Sequence, residues 1–138
     1  SLSIMAVQRE KDPSMGYAAD FLEVIPRCKI VTNAGGLNPL GLALEVKRRY
    51  PKLKIGVVSG DDVLSYFPNL STANAYLGAE PIVEALKGGA DIVITGRVAD
   101  PSLTVACAQF HFGWDSNDYD KIAQATVAGH LIECGAQV

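Results

Sequence analysis

Residues 91–101, Asp-Ile-Val-Ile-Thr-Gly-Arg-Val-Ala-Asp-Pro, constrain the fold more tightly than any other stretch of this chain. Ile92, Val93 and Ile94 form a run of β-branched side chains that ends at Thr95, and Gly96, Arg97, Asp100 and Pro101 follow at once. A short apolar run bounded by turn residues predicts a buried strand over 91–95. That strand delivers a hydroxyl, a cation and a carboxylate at its end. In an open α/β sheet, ligands bind outside the carboxyl ends of the strands.

The same arrangement occurs twice upstream. A strand is expected over 28–32 and runs into Asn33-Ala34-Gly35-Gly36-Leu37-Asn38-Pro39. Adjacent glycines permit positive φ or close backbone approach. Asn38 can cap the next helix, with Pro39 at its first position. That helix carries Leu40, Leu42, Ala43, Leu44 and Val46 and ends near Tyr50-Pro51, after the basic cluster Lys47, Arg48 and Arg49. A second strand over 54–58 leads into Ser59-Gly60-Asp61-Asp62, where either aspartate suits the start of a short helix containing Val63 and Leu64. Residues 67–78 show no clear periodicity.

Helices are also expected at 2–9, ended by Lys11-Asp12-Pro13, and at 20–24. Another opens at Glu80-Pro81, carries Ile82, Val83, Ala85 and Leu86, and closes at Gly88-Gly89. Leu103, Val105, Ala106 and Phe110 mark a helix that stops by Gly113. After a loop over 114–118, Asp118 can cap a last helix with Ile122, Ala123, Val127, Leu131 and Ile132 facing inward. Strand and helix alternate three times, which predicts an α/β fold: a parallel sheet with helices on both faces, in a Rossmann-like or flavodoxin-like three-layer arrangement. Residues 1–138 are expected to form a single α/β domain, or most of one.

Several function classes are disfavoured. The net charge of −3 and the lack of a basic stripe with interleaved aromatics argue against nucleic-acid binding. No apolar run approaches the roughly 18 residues of a membrane span. Cys28, Cys107 and Cys134 have no CxxC spacing, and an odd count suits a reducing cytoplasm. His111 and His130 are far apart, so zinc is not expected. Cys28 and Cys107 are expected in the core.

If the strands are parallel, the turns at 32–36, 59–62 and 95–100 share one sheet edge. Asn33, Gly35 and Gly36 match neither GxGxxG nor the P-loop, but glycines before a helix can still hold an anion. Arg97 can grip a carboxylate or phosphate bidentately, or pair with Asp100 three residues on; both can hold if Asp100 orients it. Asp61 and Asp62 can act as a general base or a Mg²⁺ ligand, or simply cap. Asn74 and Tyr76 can bind polar ligand groups or pack the loop. His130, Glu133 and Cys134 share a helix face, which assembles an imidazole, a carboxylate and a thiol for acid–base or nucleophilic work. The alternative is that Cys134 is a small buried hydrophobe.

Four blocks, residues 32–39, 73–79, 89–101 and 128–138, together resemble the acyclic terpene utilisation (AtuA-like) family. The resemblance implies a bacterial-type catabolic protein linked to breakdown of citronellol- and geraniol-type compounds through acyl-CoA intermediates. It carries motif membership onto Asn33, Gly35, Gly36, Asp61, Asp62, Asn74, Arg97, Asp100, His130 and Glu133, and assigns none of them a chemical role. The family's glycine-rich strand before the equivalent of Leu2 and its continuation past Val138 are missing, so an incomplete domain is expected.

The first functional expectation is a protein acting on a branched acyl-CoA or the related acid by lyase-, hydratase- or isomerase-like chemistry. Arg97 and the 33–36 turn would hold the anion, and His130 with Glu133, or Asp61, would move a proton. The alternatives are a non-catalytic binding or assembly subunit of the same pathway, as a homo-oligomer or in a complex, and a nucleotide-binding module. No cofactor is assigned.

Overall fold

The computed structural model describes residues 2–20 and 28–137. The helix expected over 20–24 lies, past Asp20, outside them. In chain order the elements are α1 (Leu2–Lys11), β1 (Ile30–Thr32), α2 (Pro39–Arg49), β2 (Ile55–Val58), α3 (Glu80–Lys87), β3 (Ile92–Thr95), α4 (Ser102–Phe112) and α5 (Tyr119–Cys134). Short 3₁₀ turns cover Leu64–Tyr66 and Gly135–Gln137.

The three strands form one parallel sheet in the order β1-β3-β2. The run that dominates the sequence is therefore the central strand, buried at all four positions. β-Branched side chains fit a strand covered on both faces. Successive side chains point to opposite faces. Ile92 and Ile94 meet Leu42, Ala43 and Val46 of α2. Val93 meets the layer built by α3, α4 and α5 through Ile82, Val83, Leu86, Val105, Ala106 and Ala125. Helices thus cover both faces, as expected for an α/β fold. β1 is followed by the α2 layer and β3 by the opposite layer, so adjacent strands send their connections to opposite sides, the arrangement that opens a crevice at the strand ends.

Local chemistry explains most boundaries. The Asn38 side chain accepts the Gly41 N–H at 2.9 Å with Pro39 opening α2, and Gly113 ends α4 at φ 65° in the left-handed region. Arg48 and Arg49 at the end of α2 both pair with Glu45, at 2.9 and 2.6 Å.

Some expectations are corrected. On α5 the buried positions are Ala125 and Gly129, with Ile122 half-buried, whereas Ala123, Val127, Leu131 and Ile132 are exposed. A Cβ on Gly129 would lie 3.0 Å from Pro101, so α5 packs closely on the start of α4 through its small residues, and its large apolar side chains turn away. On α2 the buried stripe is Leu42, Ala43 and Val46, and Leu40 and Leu44 are exposed. Cys28 and Cys107 are exposed rather than in the core. Asp118 stands at the cap position of α5, but its carboxylate takes the Asp115 N–H and Lys121 instead of a helical N–H. After β2 the expected short helix is a 3₁₀ turn over Leu64–Tyr66 that leaves out Val63, and the Leu64 N–H donates to Asp62 Oδ1 at 2.9 Å.

Candidate functional site

The parallel register brings the ends of β1, β2 and β3 to one edge: Thr32 lies beside Ile94, and Val58 beside Thr95. The turns carrying Asn33, Asp61 and Arg97 therefore share that edge.

Asp61 is the anchor. It is 3% exposed, and its Oδ2 accepts two hydrogen bonds, from the Arg97 backbone N–H at 2.8 Å and from the Asn74 amide at 2.9 Å. Its own carbonyl accepts the Ala75 N–H at 2.7 Å. Such bonds to an ionised carboxylate are stronger than neutral ones and offset the cost of burying it. The neighbouring Gly96 makes room: a Cβ there would stand 2.5 Å from Asp61 Oδ2. Asp61 thus ties the turn after β2 to the turn after β3. Asn74, spent on Asp61 and bridged through its backbone to Asp62, supports this knot.

Arg97 lies just above. Its guanidinium stacks on the Tyr76 ring, 4.7 Å from the centroid, and donates to the Tyr76 hydroxyl. Among the described residues it forms no ion pair with Asp100 or any other carboxylate, and its Nε is buried without a hydrogen-bond partner. The pairing with Asp100 would need helical geometry. The backbone instead runs extended beside Leu77, with Leu77 N–H donating to Arg97 C=O and Ala99 N–H to Leu77 C=O, and α4 starts only at Ser102. A cation–π contact of this kind holds the planar group in place without neutralising its charge.

Asp62 has both oxygens engaged, Oδ1 by the Leu64 N–H and Oδ2 by Arg9 Nη1 at 2.9 Å. Arg9 also donates to the Leu37 carbonyl at 3.0 Å, so one α1 side chain links the turn after β1 to the turn after β2. Nothing in the local sequence marks Arg9; only its distance in space from residues 28 and 53 positions away could reveal it.

The glycine turn is mostly occupied by the protein itself. Gly36 N–H donates to Asn33 C=O, Asn38 N–H to Gly35 C=O, and Leu37 N–H to Gly16 C=O. Gly35 and Gly36 are buried, Gly36 at φ 55° under Met5 of α1, while Asn33 is exposed. A Cβ on Gly35 would come within 2.4 Å of the Thr95 carbonyl, so this glycine seats the turn on β3.

His130, Glu133 and Cys134 do come together on α5. The thiol donates to Glu133 Oε2 at 3.2 Å, and its sulfur lies 3.7 Å from His130 Nε2. The hydrogen bond to Glu133, with burial and the charges of Glu133 and Asp100, raises the Cys134 pKa and keeps the thiol protonated. Among the described residues Asp100 forms no ion pair, and its charge adds a smaller push in the same direction on Cys134. The close approach of Gly129 to Pro101 sets the cluster beside the start of α4, next to the strand-end edge.

Among the described residues no group of three or more His, Cys, Asp or Glu side chains is arranged to hold a metal ion, and no helix is long and apolar enough to cross a membrane. The family model described as acyclic terpene utilisation family protein AtuA matches residues 1–138. No curated protein and no solved structure matches the chain.

Proposed function

Because the chain belongs to the acyclic terpene utilisation family, we propose that its strand-end edge binds the anionic end of a branched acid or its acyl-CoA thioester, with Arg97 holding the negative charge. The observation that carries this reading is the state of Arg97: a guanidinium fixed over Tyr76, with no carboxylate partner among the described residues and a buried, unbonded Nε. An arginine already neutralised by a neighbour would gain little from an anion; this one gains a bidentate partner. Asp61 and Asn74 hold its backbone in place, so the ligand does not have to order the turn. Asn33 and Asp62 stand on the same edge, and Gly35 and Gly36 shape the turn beneath it.

His130 and Glu133 serve as the proton-moving pair of a hydratase-, lyase- or isomerase-like step. In hydration of an α,β-unsaturated thioester, a base takes a proton from water as the new C–O bond forms at the β-carbon. The electron pair passes to the carbonyl oxygen, and an acid returns a proton to the α-carbon. Asp61, with its Oδ2 already accepting two donors, supports the site instead of moving protons. A second reading, a binding or assembly subunit without turnover, is favoured by the exposed Val127, Leu131 and Ile132 on the helix that carries His130.

The test is calorimetry and a turnover assay of the purified protein with unsaturated branched acyl-CoAs and the free acids. Binding that Arg97→Ala weakens by about tenfold or more supports the anion site. Turnover lost in His130→Ala supports the enzyme, and binding with no turnover supports the subunit. Absence of binding to both ligand classes overturns the proposal.

A further inference from the structure

Building on the anion site proposed for Arg97, we infer that the Tyr76 hydroxyl is a second ligand-binding group at the strand-end edge. It gives its proton to the same anionic group that Arg97 holds.

Tyr76 comes from residues 67–78, the stretch without periodicity, yet its backbone is tied on both sides. The Ala75 N–H donates to the Asp61 carbonyl at 2.7 Å, and the Leu77 N–H donates to the Arg97 carbonyl at 3.3 Å. The Leu77 carbonyl in turn accepts the Ala99 N–H at 2.9 Å. Leu77 and Val98 thus form a parallel bridge, and successive side chains of extended backbone point to opposite sides. Leu77 packs against the core, so Tyr76 is turned outward, 53% exposed, with the Arg97 guanidinium over its ring. One buried aspartate orders both partners: the Asp61 carboxylate holds the Arg97 backbone, and the Asp61 carbonyl holds the residue before Tyr76. A pair fixed before its ligand arrives loses little freedom on binding.

The chemistry of the pair runs in one direction. A guanidinium can only donate, and Arg97 Nη2 donates to the Tyr76 oxygen. The hydroxyl owns a single proton, and that proton is left for another acceptor. Among the described residues no oxygen takes it. The cation–π contact, at 4.7 Å from the ring centroid, needs only the ring, so phenylalanine would serve for stacking alone. Arg97 and Tyr76 therefore present donors side by side, an arrangement that suits an oxygen carrying negative charge. A hydrogen bond to an ionised oxygen is about twice as strong as one between neutral groups. Carboxylate and phosphate oxygens share this chemistry, and the experiment separates them.

Two probes, a branched carboxylic acid and coenzyme A, are titrated into the parent, Tyr76→Phe, Arg97→Ala and the double variant, by calorimetry and, for weak binding, by ¹H–¹⁵N spectra. Tyr76→Phe keeps the ring and removes only the hydroxyl at an exposed position, so its urea unfolding midpoint should stay close to the parent's. The expected result is that Tyr76→Phe weakens binding of the probe held at the edge by about tenfold. The probe that loses affinity identifies carboxylate or phosphate as the group bound. Because the hydroxyl touches the ligand itself, Tyr76→Phe should also weaken binding about threefold or more in the Arg97→Ala background. Unchanged affinity in Tyr76→Phe alongside a loss in Arg97→Ala overturns the inference and leaves the anion site standing. An effect of Tyr76→Phe that vanishes in the Arg97→Ala background also overturns it, since Tyr76 would then only support Arg97. If neither probe binds the parent, the anion site falls and the inference falls with it.

Discussion

Asp61 does for the strand-end turns what a disulfide does elsewhere, joining two segments far apart in the chain at one buried atom. Its Oδ2 fixes the backbone of Arg97 and the side chain of Asn74, and Gly96 is the residue that lets it in. Gly96→Ala would set a methyl group 2.5 Å from that oxygen. The variant should lose about 1–3 kcal/mol in urea denaturation, since overpacking at a rigid buried contact forces the carboxylate off its partners. Asp61→Ala should cost a similar amount and also weaken ligand binding by loosening the Arg97 turn. At this scale the residue types were legible and their partners were not. Arg97 stood out as a cation at a strand end, but i,i+3 spacing pointed to Asp100. The extended backbone beside Leu77 gives it Tyr76 instead, a residue 21 positions away.

Each connection at the sheet edge is held by local chemistry that can be tested one element at a time. Leu42 of α2 is fully buried against β3, so Leu42→Ala should cost about 2–5 kcal/mol, measured by the same unfolding method. Gly35→Ala should be at least as damaging as Gly96→Ala, because the contact it meets is the Thr95 backbone carbonyl, which cannot rotate away. At the other end of α2, Arg48 and Arg49 hold the Glu45 carboxyl at about 2. A carboxyl lowered on folding stabilises the native state above its ordinary value near 4.5, and that contribution fades as pH falls toward about 2. NMR titration of Glu45 should give a midpoint near 2, moving up toward its ordinary value in Arg48→Ala/Arg49→Ala.

The elements themselves were readable because strands, caps and breakers are encoded locally: Asn38-Pro39, Gly88-Gly89 and Gly113 each did what their chemistry allows. Which face of a helix is buried depends on the partner. On α5 the large apolar side chains suggested an inward face, yet Gly129 brings the helix so close to Pro101 that Ile122, Ala125 and Gly129 form the contact. The burial of Gln109 was equally invisible, since an amide in a helix usually marks the solvent side.

For the whole molecule, the parallel sheet in the order β1-β3-β2 is what turns three separate motifs into one edge. The alternation of strand and helix implied parallel strands; the order could not be read, because it depends on which crossovers pack on which layer. Within that edge the motifs divide their labour. Asp61, Asn74 and Gly96 hold Arg97, Gly35 seats the first turn on the central strand, Gly36 lies under Met5 of α1, and His130, Glu133 and Cys134 gather on α5. Family membership places the chain in acyclic terpene utilisation, and the unneutralised arginine is the part of the edge on which the proposed binding of an acid or acyl-CoA rests. The most direct measurement is calorimetric titration of a branched acyl-CoA into the parent protein and into Arg97→Ala and Arg97→Lys. The account predicts binding to the parent, a loss of about tenfold or more in Arg97→Ala, and only partial recovery in Arg97→Lys, whose ammonium lacks the planar fork. Equal affinity for the parent and Arg97→Ala would contradict it.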